Sequence, residues 1–233
     1  MLEPGTPARS LDPHGTLTRR ASTHTSGTEH LPDLLLIERA RAGDEQAIEA
    51  LVRRYSRRLF RVAHSVLGDE DRAEGVTHDV YLAAFGDLSR YEPTGKFAAW
   101  LTRLVYQQAR SLRGAARALG AAAPAATHPE DSERHELEHV IACLPEVFRT
   151  VFVLRVVEGI SGIETAASLG VHETTVRTRL YRAHRRLDAE SIRRIRASQG
   201  LLELAPARLE RLVNGVLGQL PHGSMLTISA SPP

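Results

Sequence analysis

The spacing of apolar residues constrains this chain more than any other feature of its sequence. Between residues 48 and 66, apolar side chains recur every three or four positions with arginines between them, a pattern typical of an amphipathic α-helix. Similar spacing fills two blocks, residues 33–113 and 134–190, and runs of β-branched residues are short. We therefore predict an all-α protein with two small helical domains.

The segments outside the two blocks lack this spacing. Residues 1–32, rich in Pro, Gly, Ser, Thr and His, are predicted to be disordered. Residues 114–133, with alanines, prolines and then acids, are predicted to form a flexible linker. Residues 191–233 form a C-terminal extension.

The C-terminal extension is predicted to contain one short amphipathic helix, starting just after Pro206. Its apolar stripe consists of Leu209, Leu212, Val213, Val216, Leu217 and Leu220. Something must cover this stripe, and we expect it to pack on the second block, with the docking of a partner protein as the alternative.

The first block divides into helices at glycines and prolines. A second helix is predicted from Glu70 to Phe85, followed by a loop, "SRYEPTGKF". A further helix begins at Phe97. Its polar side carries a stripe of Arg103, Gln107 and Arg110. A solvent-exposed face with no binding role would also explain this stripe.

The second block contains a helix-turn-helix pattern. Ser161 is a plausible N-cap with Glu164 three residues on, Gly170 supplies a left-handed turn, and the next helix starts near Glu173. The exposed face of that helix carries residues expected at base edges, with three arginines expected beside phosphates. The first set is Thr174, Thr175, Arg177, Thr178 and Arg179, and the second is Arg182, Arg185 and Arg186. A purely structural helical hairpin is the alternative.

Charge is segregated around the same turn. Residues 130–170 carry eight acids and three arginines, whereas residues 171–186 carry five arginines and one acid, Glu173. The whole chain has a formal net charge of only +2. Such a basic segment is an electrostatic footprint for a polyphosphate such as DNA.

Several classes of protein are disfavoured. The single cysteine, Cys143, excludes an internal disulfide framework, and no clustered nucleophile or acid pair suggests an enzyme or a cofactor site. His135, His139 and Cys143 are spaced i, i+4 and i+8, but the outer two would lie about 12 Å apart on a helix, too far to share a metal ion. No stretch has the length of a membrane span or of a signal core, so we expect a cytoplasmic protein.

Both blocks resemble one family. "LIERARAGDEQAIEALVRRYSRRLFRVAHSVLGDEDRAEGVTHDVYLAAF" with "LSRYEPTGKFAAWLTRL" resembles region 2 of the extracytoplasmic-function (ECF) sigma factors of bacterial RNA polymerase, and "CLPEVFRTVFVLRVVEGISGIETAASLGVHETTVRTRLYRAHRRL" resembles their region 4. The resemblance implies a non-enzymatic factor that binds core polymerase, reads the −35 promoter element through region 4, and melts and reads the −10 element through region 2. A helix-turn-helix regulator that does not load onto polymerase is the alternative, but it leaves residues 33–113 without a role.

The resemblance also implies particular contacts. The polymerase-binding residues, facing the beta-prime coiled coil, would be Val76, Asp79, Val80 and Leu82. The pocket for a flipped −10 base would be lined by Leu88, Arg90, Tyr91, Glu92, Gly95 and Lys96, unless this loop only connects two helices. The DNA backbone next to this pocket would run along the polar side of the following helix, at Arg103, Gln107 and Arg110. An anti-sigma protein becomes the partner to consider for the C-terminal stripe.

This sequence departs from the family pattern at several of these places. Gly75 and His78 stand where Asp and Gln are usual in the polymerase-facing helix. Gln107 and Ser111 replace Asn and Asp, and the pair Gly162-Ile163 replaces Tyr-Glu before the turn.

Overall fold

The computed structural model describes residues 30–88, 91–92, 96–119, 132–198 and 200–220. All regular elements in this part of the chain are helical, as predicted. The helices are α1 (Asp33–Arg41), α2 (Glu45–Leu67), α3 (Glu70–Gly86), α4 (Phe97–Ala118), α5 (Ser132–Ala142), α6 (Glu146–Phe152), α7 (Gly162–Leu169), α8 (Glu173–His184), α9 (Ala189–Ala197) and α10 (Pro206–Gln219).

The first domain, α1 to α4, is built around α2. The side chain of Asp44 caps α2 by accepting hydrogen bonds from the amides of Gln46 and Ala47, and Gly68 ends the helix with a left-handed φ of 70°. One face of α2 packs on α1, α3 and α4. The centre of this bundle consists of fully buried side chains: Leu51, Leu59, Phe60, Tyr81, Phe97 and Leu101.

The second domain, α5 to α9, has a smaller core of its own. Its buried residues include Leu137, Ile141, Phe152, Val153 and Ile195. A single π-helical turn, Val153–Val157, continues α6, and α9 runs past residue 190, the predicted limit of the second block. Neither the π-helical turn nor α9 was predicted from the sequence.

The two domains pack directly on each other. Val151, Leu154 and Leu169 of the second domain are buried in the same apolar cluster as the core of the first domain. Beside this cluster, Arg61 of α2 pairs with Glu158, and both side chains are less than a tenth exposed. The interface is therefore both apolar and ionic.

The linker was only partly predicted. Helix α4 runs to Ala118, so its last turn occupies residues that we expected to be irregular. Residues 120–131 lie outside the described residues, as do residues 1–29, so the predictions of a flexible linker and a disordered N-terminal segment are not tested there.

Helix α10 begins at Pro206, where the sequence predicted a helix, but the expected packing partner was wrong. The helix packs on α2 and α3 of the first domain rather than on the second domain. Its residues Leu212, Val213 and Val216 are buried there. The apolar stripe indicated that α10 must pack against another apolar surface, but a stripe alone does not specify which surface that is.

Candidate nucleic-acid interface

The helix-turn-helix forms as its sequence indicates. The Ser161 hydroxyl accepts a hydrogen bond from the Glu164 amide at the start of α7, and Gly170 ends the helix with a φ of 64°. The side chain of Glu164 does not complete a capping box but pairs with Arg58 and Lys96 of the first domain. Val176 buries the inner face of α8 against the cluster shared by the two domains, which fixes the opposite face outward.

The outer face of α8 presents most of the predicted DNA contacts. The exposed members of the set are Thr174, Arg177, Thr178, Arg182, Arg185 and Arg186, while Thr175 and Arg179 are partly buried. The guanidinium of Arg186 lies 5.5 Å from the ring centre of Phe148, so this side chain packs on α6 as well as facing solvent. Arg185 caps the end of α8.

Tyr181 belongs to the same face and was missed in the sequence. Its side chain is 60% exposed, and it lies one turn from both Arg177 and Arg185. The missed signal was this i, i+4 spacing, which places residues 177, 181 and 185 on one line along a helix. An aromatic ring on this line adds an apolar contact surface among the arginines.

The loop before α4 is anchored in the core of the first domain. The ring of Tyr91 lies 5.0 Å from that of Phe97 and 5.2 Å from that of Trp100, and burial raises the pKa of Tyr91. Arg41 donates hydrogen bonds to the backbone carbonyls of Leu88 and Tyr91.

Only part of the predicted −10 pocket is therefore accessible in this conformation. Leu88 and Tyr91 are buried, so the ring of Tyr91 supports the loop and is not open for a base to stack on, in agreement with the alternative that this residue covers the core. Glu92 and Lys96 are exposed. Arg90 and Gly95 lie outside the described residues.

The polar stripe on α4 faces the second domain. Arg103 and Gln107 are exposed, and the Arg103 guanidinium approaches Gly170, 3.4 Å from where a β-carbon would lie. Arg110 lies 3.6 Å from a carboxylate oxygen of Glu146. The stripe thus lines the interface between the two domains.

Lys96 extends this ionic contact. Its amine is 2.8 Å from Glu164, which also binds Arg58 at 2.7 Å. Burial would raise the pKa of Glu164, but hydrogen bonds from Lys96 and Arg58 outweigh burial and lower it. Glu164 therefore stays ionised and holds two cations of the first domain.

The predicted polymerase-binding residues of α3 differ in exposure. Val76 and Val80 are buried and support the helix from below, Leu82 is partly buried, and Asp79 is exposed. Of these four residues, only Asp79 and the edge of Leu82 are accessible to a partner.

Within the described residues, no group of three or more His, Cys, Asp and Glu side chains is arranged to hold a metal ion. The Cys143 sulfur lies 3.6 Å from Nε2 of His139. No helix in the same part of the chain has the length and apolar character required to cross a membrane.

A first helical bundle joined to a second domain with an exposed, arginine-rich recognition helix defines a helical DNA-binding protein. Residues 51–118 match the family model "Sigma-70 region 2", and residues 134–187 match "Sigma-70, region 4". The chain therefore belongs to the sigma-70 family of RNA polymerase sigma factors, whose class role is promoter recognition.

Curated relatives and a solved structure support this family assignment. The chain is 30% identical over 169 residues to the ECF RNA polymerase sigma factor SigE of Mycolicibacterium smegmatis, an alignment that covers 62% of this chain and 63% of SigE. It is 26% identical over 182 residues to the ECF RNA polymerase sigma-E factor of Escherichia coli K12, covering 69% and 95%. CnrH, solved in complex with the cytosolic domain of CnrY, superposes with a TM-score of 0.53 and 28% identity, covering 66% and 93%.

Proposed function

We propose that this chain directs RNA polymerase to promoters, with the second domain reading the −35 element and the first domain opening and reading the −10 element. The observation that carries the proposal is the outer face of α8, where exposed threonines and arginines follow a left-handed turn at Gly170. A recognition helix in this setting enters the major groove of duplex DNA.

The residues of α8 divide between reading and positioning. Thr174, Arg177 and Thr178 lie in its first half, where side chains meet base edges. Arg182 and Arg185 lie towards its end, where phosphates are nearer. Tyr181, between them, joins the reading group through its apolar ring.

The −10 role belongs to the loop and the stripe on α4. Lys96, Arg103 and Arg110 are cations on one side of the first domain, and melted DNA is bound by cations that follow its backbone. In the described conformation their neighbours include acids of the second domain, so DNA binding would exchange those carboxylates for phosphates.

Core polymerase is the proposed protein partner, contacted through α3 at Asp79 and Leu82. A second class of partner is suggested by CnrH, which was solved with the cytosolic domain of CnrY, and we extend that to an anti-sigma protein for this chain. Because promoter recognition takes place on the chromosome, the proposal also places the protein in the bacterial cytoplasm and gives it a binding role rather than a catalytic one.

The test is co-purification of the full chain with core polymerase, followed by transcription from a promoter library. We expect a stable complex and transcripts from a limited set of promoters. Tight binding to duplex DNA without any association with core polymerase would instead support the helix-turn-helix regulator. An Asp79→Arg variant, which reverses an exposed charge, should bind core more weakly and bind −35 duplex normally.

A further inference from the structure

We infer that the α2–α3 face of the first domain is a docking surface whose occupant is α10 of the same chain, and that α10 competes there with core polymerase. The inference rests on the proposed function, because that proposal places polymerase against α3. The family match gives no role to α10, since both matched segments end before this helix begins.

Apolar burial supplies the first argument. Leu212, Val213 and Val216 are no more than 2% exposed and belong to the same apolar cluster as the core of the first domain. A helix of 14 residues is marginal on its own in water. Helix α10 therefore depends on this surface for its helical structure.

Charge complementarity supplies the second argument. Arg208 of α10 forms ion pairs with three carboxylates on the first turns of α3, those of Glu70, Asp71 and Glu74. In the opposite sense, Glu210 accepts two hydrogen bonds from Arg53 of α2, at 2.7 and 2.9 Å. These pairs fix both the position and the direction of α10 on the surface.

A close approach in the middle of α10 supplies the third argument. A β-carbon on Gly215 would lie 3.2 Å from Nε2 of His78, whereas one on Gly218 would have no neighbour within 4 Å. The Gln219 side chain also approaches Nε2 of His78, at 3.2 Å. Gly215 therefore meets His78, one of the departures from the family pattern, at one contact.

The surface that α10 covers adjoins the residues proposed for polymerase. It extends along α3 from Glu70 to His78, and Asp79 follows directly. Packed helices lie 8 to 10 Å apart, so a polymerase helix approaching α3 from this side would overlap α10. Exposed ion pairs contribute little stability, so a competing polymerase helix would mainly have to replace the apolar contacts of Leu212, Val213 and Val216.

The experiment compares two glycine variants of the full chain. Gly215→Leu places a large side chain against His78 and should detach α10, while Gly218→Leu adds the same side chain where there is space. Hydrogen exchange measures the detachment, since amides of a released α10 lose protection. Affinity for core polymerase is measured by anisotropy of a fluorophore on Cys143, the single and exposed cysteine.

We expect Gly215→Leu to bind core polymerase at least about fivefold more tightly than the wild type, because the competent fraction of the free protein rises. Gly218→Leu should match the wild type. Arg208→Glu, which repels the acids of α3 without changing the glycines, should act like Gly215→Leu. Equal affinity of Gly215→Leu and the wild type, with α10 detached by hydrogen exchange, would overturn the inference and leave the sigma function standing. Absence of core binding in every variant would overturn the proposed function, and the inference with it.

Discussion

Arg177 and Arg182 are both exposed on α8, and the proposed function gives them different roles. Arg182→Ala should weaken binding to every duplex similarly and reduce the salt slope by about one, because a phosphate contact releases counterions without reading sequence. Arg177→Ala should instead relax the preference at particular −35 positions, with a lost base contact worth about 1 to 3 kcal/mol. Binding titrations at several salt concentrations, with duplexes varied at −35, distinguish the two. Equal and nonspecific losses would contradict the assignment of α8 as a recognition helix.

A partly buried histidine, His64, makes stability depend on pH. Burial lowers the pKa of His64 below its usual value, as does Arg149, whereas Glu70, Glu138 and Asp69 act in the opposite sense. The unfolded chain therefore takes up a proton near pH 6.5 that the folded chain resists, and stability falls as the pH drops through this value. Urea unfolding at pH 7.5 and 5.5 should show the loss.

His64→Phe provides the control for that measurement, since it keeps the stacking on Phe60 and removes the titrating group. The variant should lose less stability between the two pH values than the wild type. Some loss should remain, because burial and then Arg196 also lower the pKa of His184. A pH dependence unchanged by His64→Phe would refute the role of His64.

At the scale of helices and turns, two glycines are expected to respond oppositely to alanine. Gly75 lies inside α3 with no atom within 4 Å of a new β-carbon, so Gly75→Ala should stabilise the protein by about 0.5 to 1 kcal/mol. Gly170 has a φ of 64°, so Gly170→Ala should cost about 1 to 2 kcal/mol. Chemical denaturation of the two variants measures both changes. Stabilisation by Gly170→Ala would show that the turn relaxes to another conformation.

Local sequence signals predicted where the helices begin better than they predicted which helices pack together. Helix starts at Glu70, Phe97 and Glu173 follow from caps, glycines and apolar spacing, which act within a few residues. The surface on which α10 packs is formed by α2 and α3, and the residues in contact are more than 120 positions apart in sequence. No local pattern encodes such a contact. The sequence left the burial of Tyr91 as one of two alternatives for a related reason, because an aromatic residue in a loop suits a core and a binding pocket equally.

At the scale of the whole molecule, the described residues form a closed arrangement that does not match the geometry of a promoter. The −35 and −10 elements are about 25 base pairs apart, or about 85 Å of B-DNA at 3.4 Å per base pair. A compact chain of this length has a radius of gyration of only about 17 Å. Under the proposed function, the two domains would have to separate before both elements are read together, and the connection between Ala118 and Ser132 would have to span the gap.

The pair between Arg61 and Glu158 joins the two domains through side chains that are both buried at the interface. Glu158→Gln would leave the Arg61 guanidinium buried without a counter-ion, a situation that costs about 3 to 5 kcal/mol and is relieved when the domains part and water reaches the charge. Small-angle X-ray scattering of Glu158→Gln should therefore show a larger radius of gyration than that of the wild type. Glu190→Gln is the matched control, since Glu190 pairs with the neighbouring Arg193 on the exposed face of α9, and it should leave the radius unchanged. A Glu158→Gln protein as compact as the wild type would show that apolar packing alone keeps the domains closed.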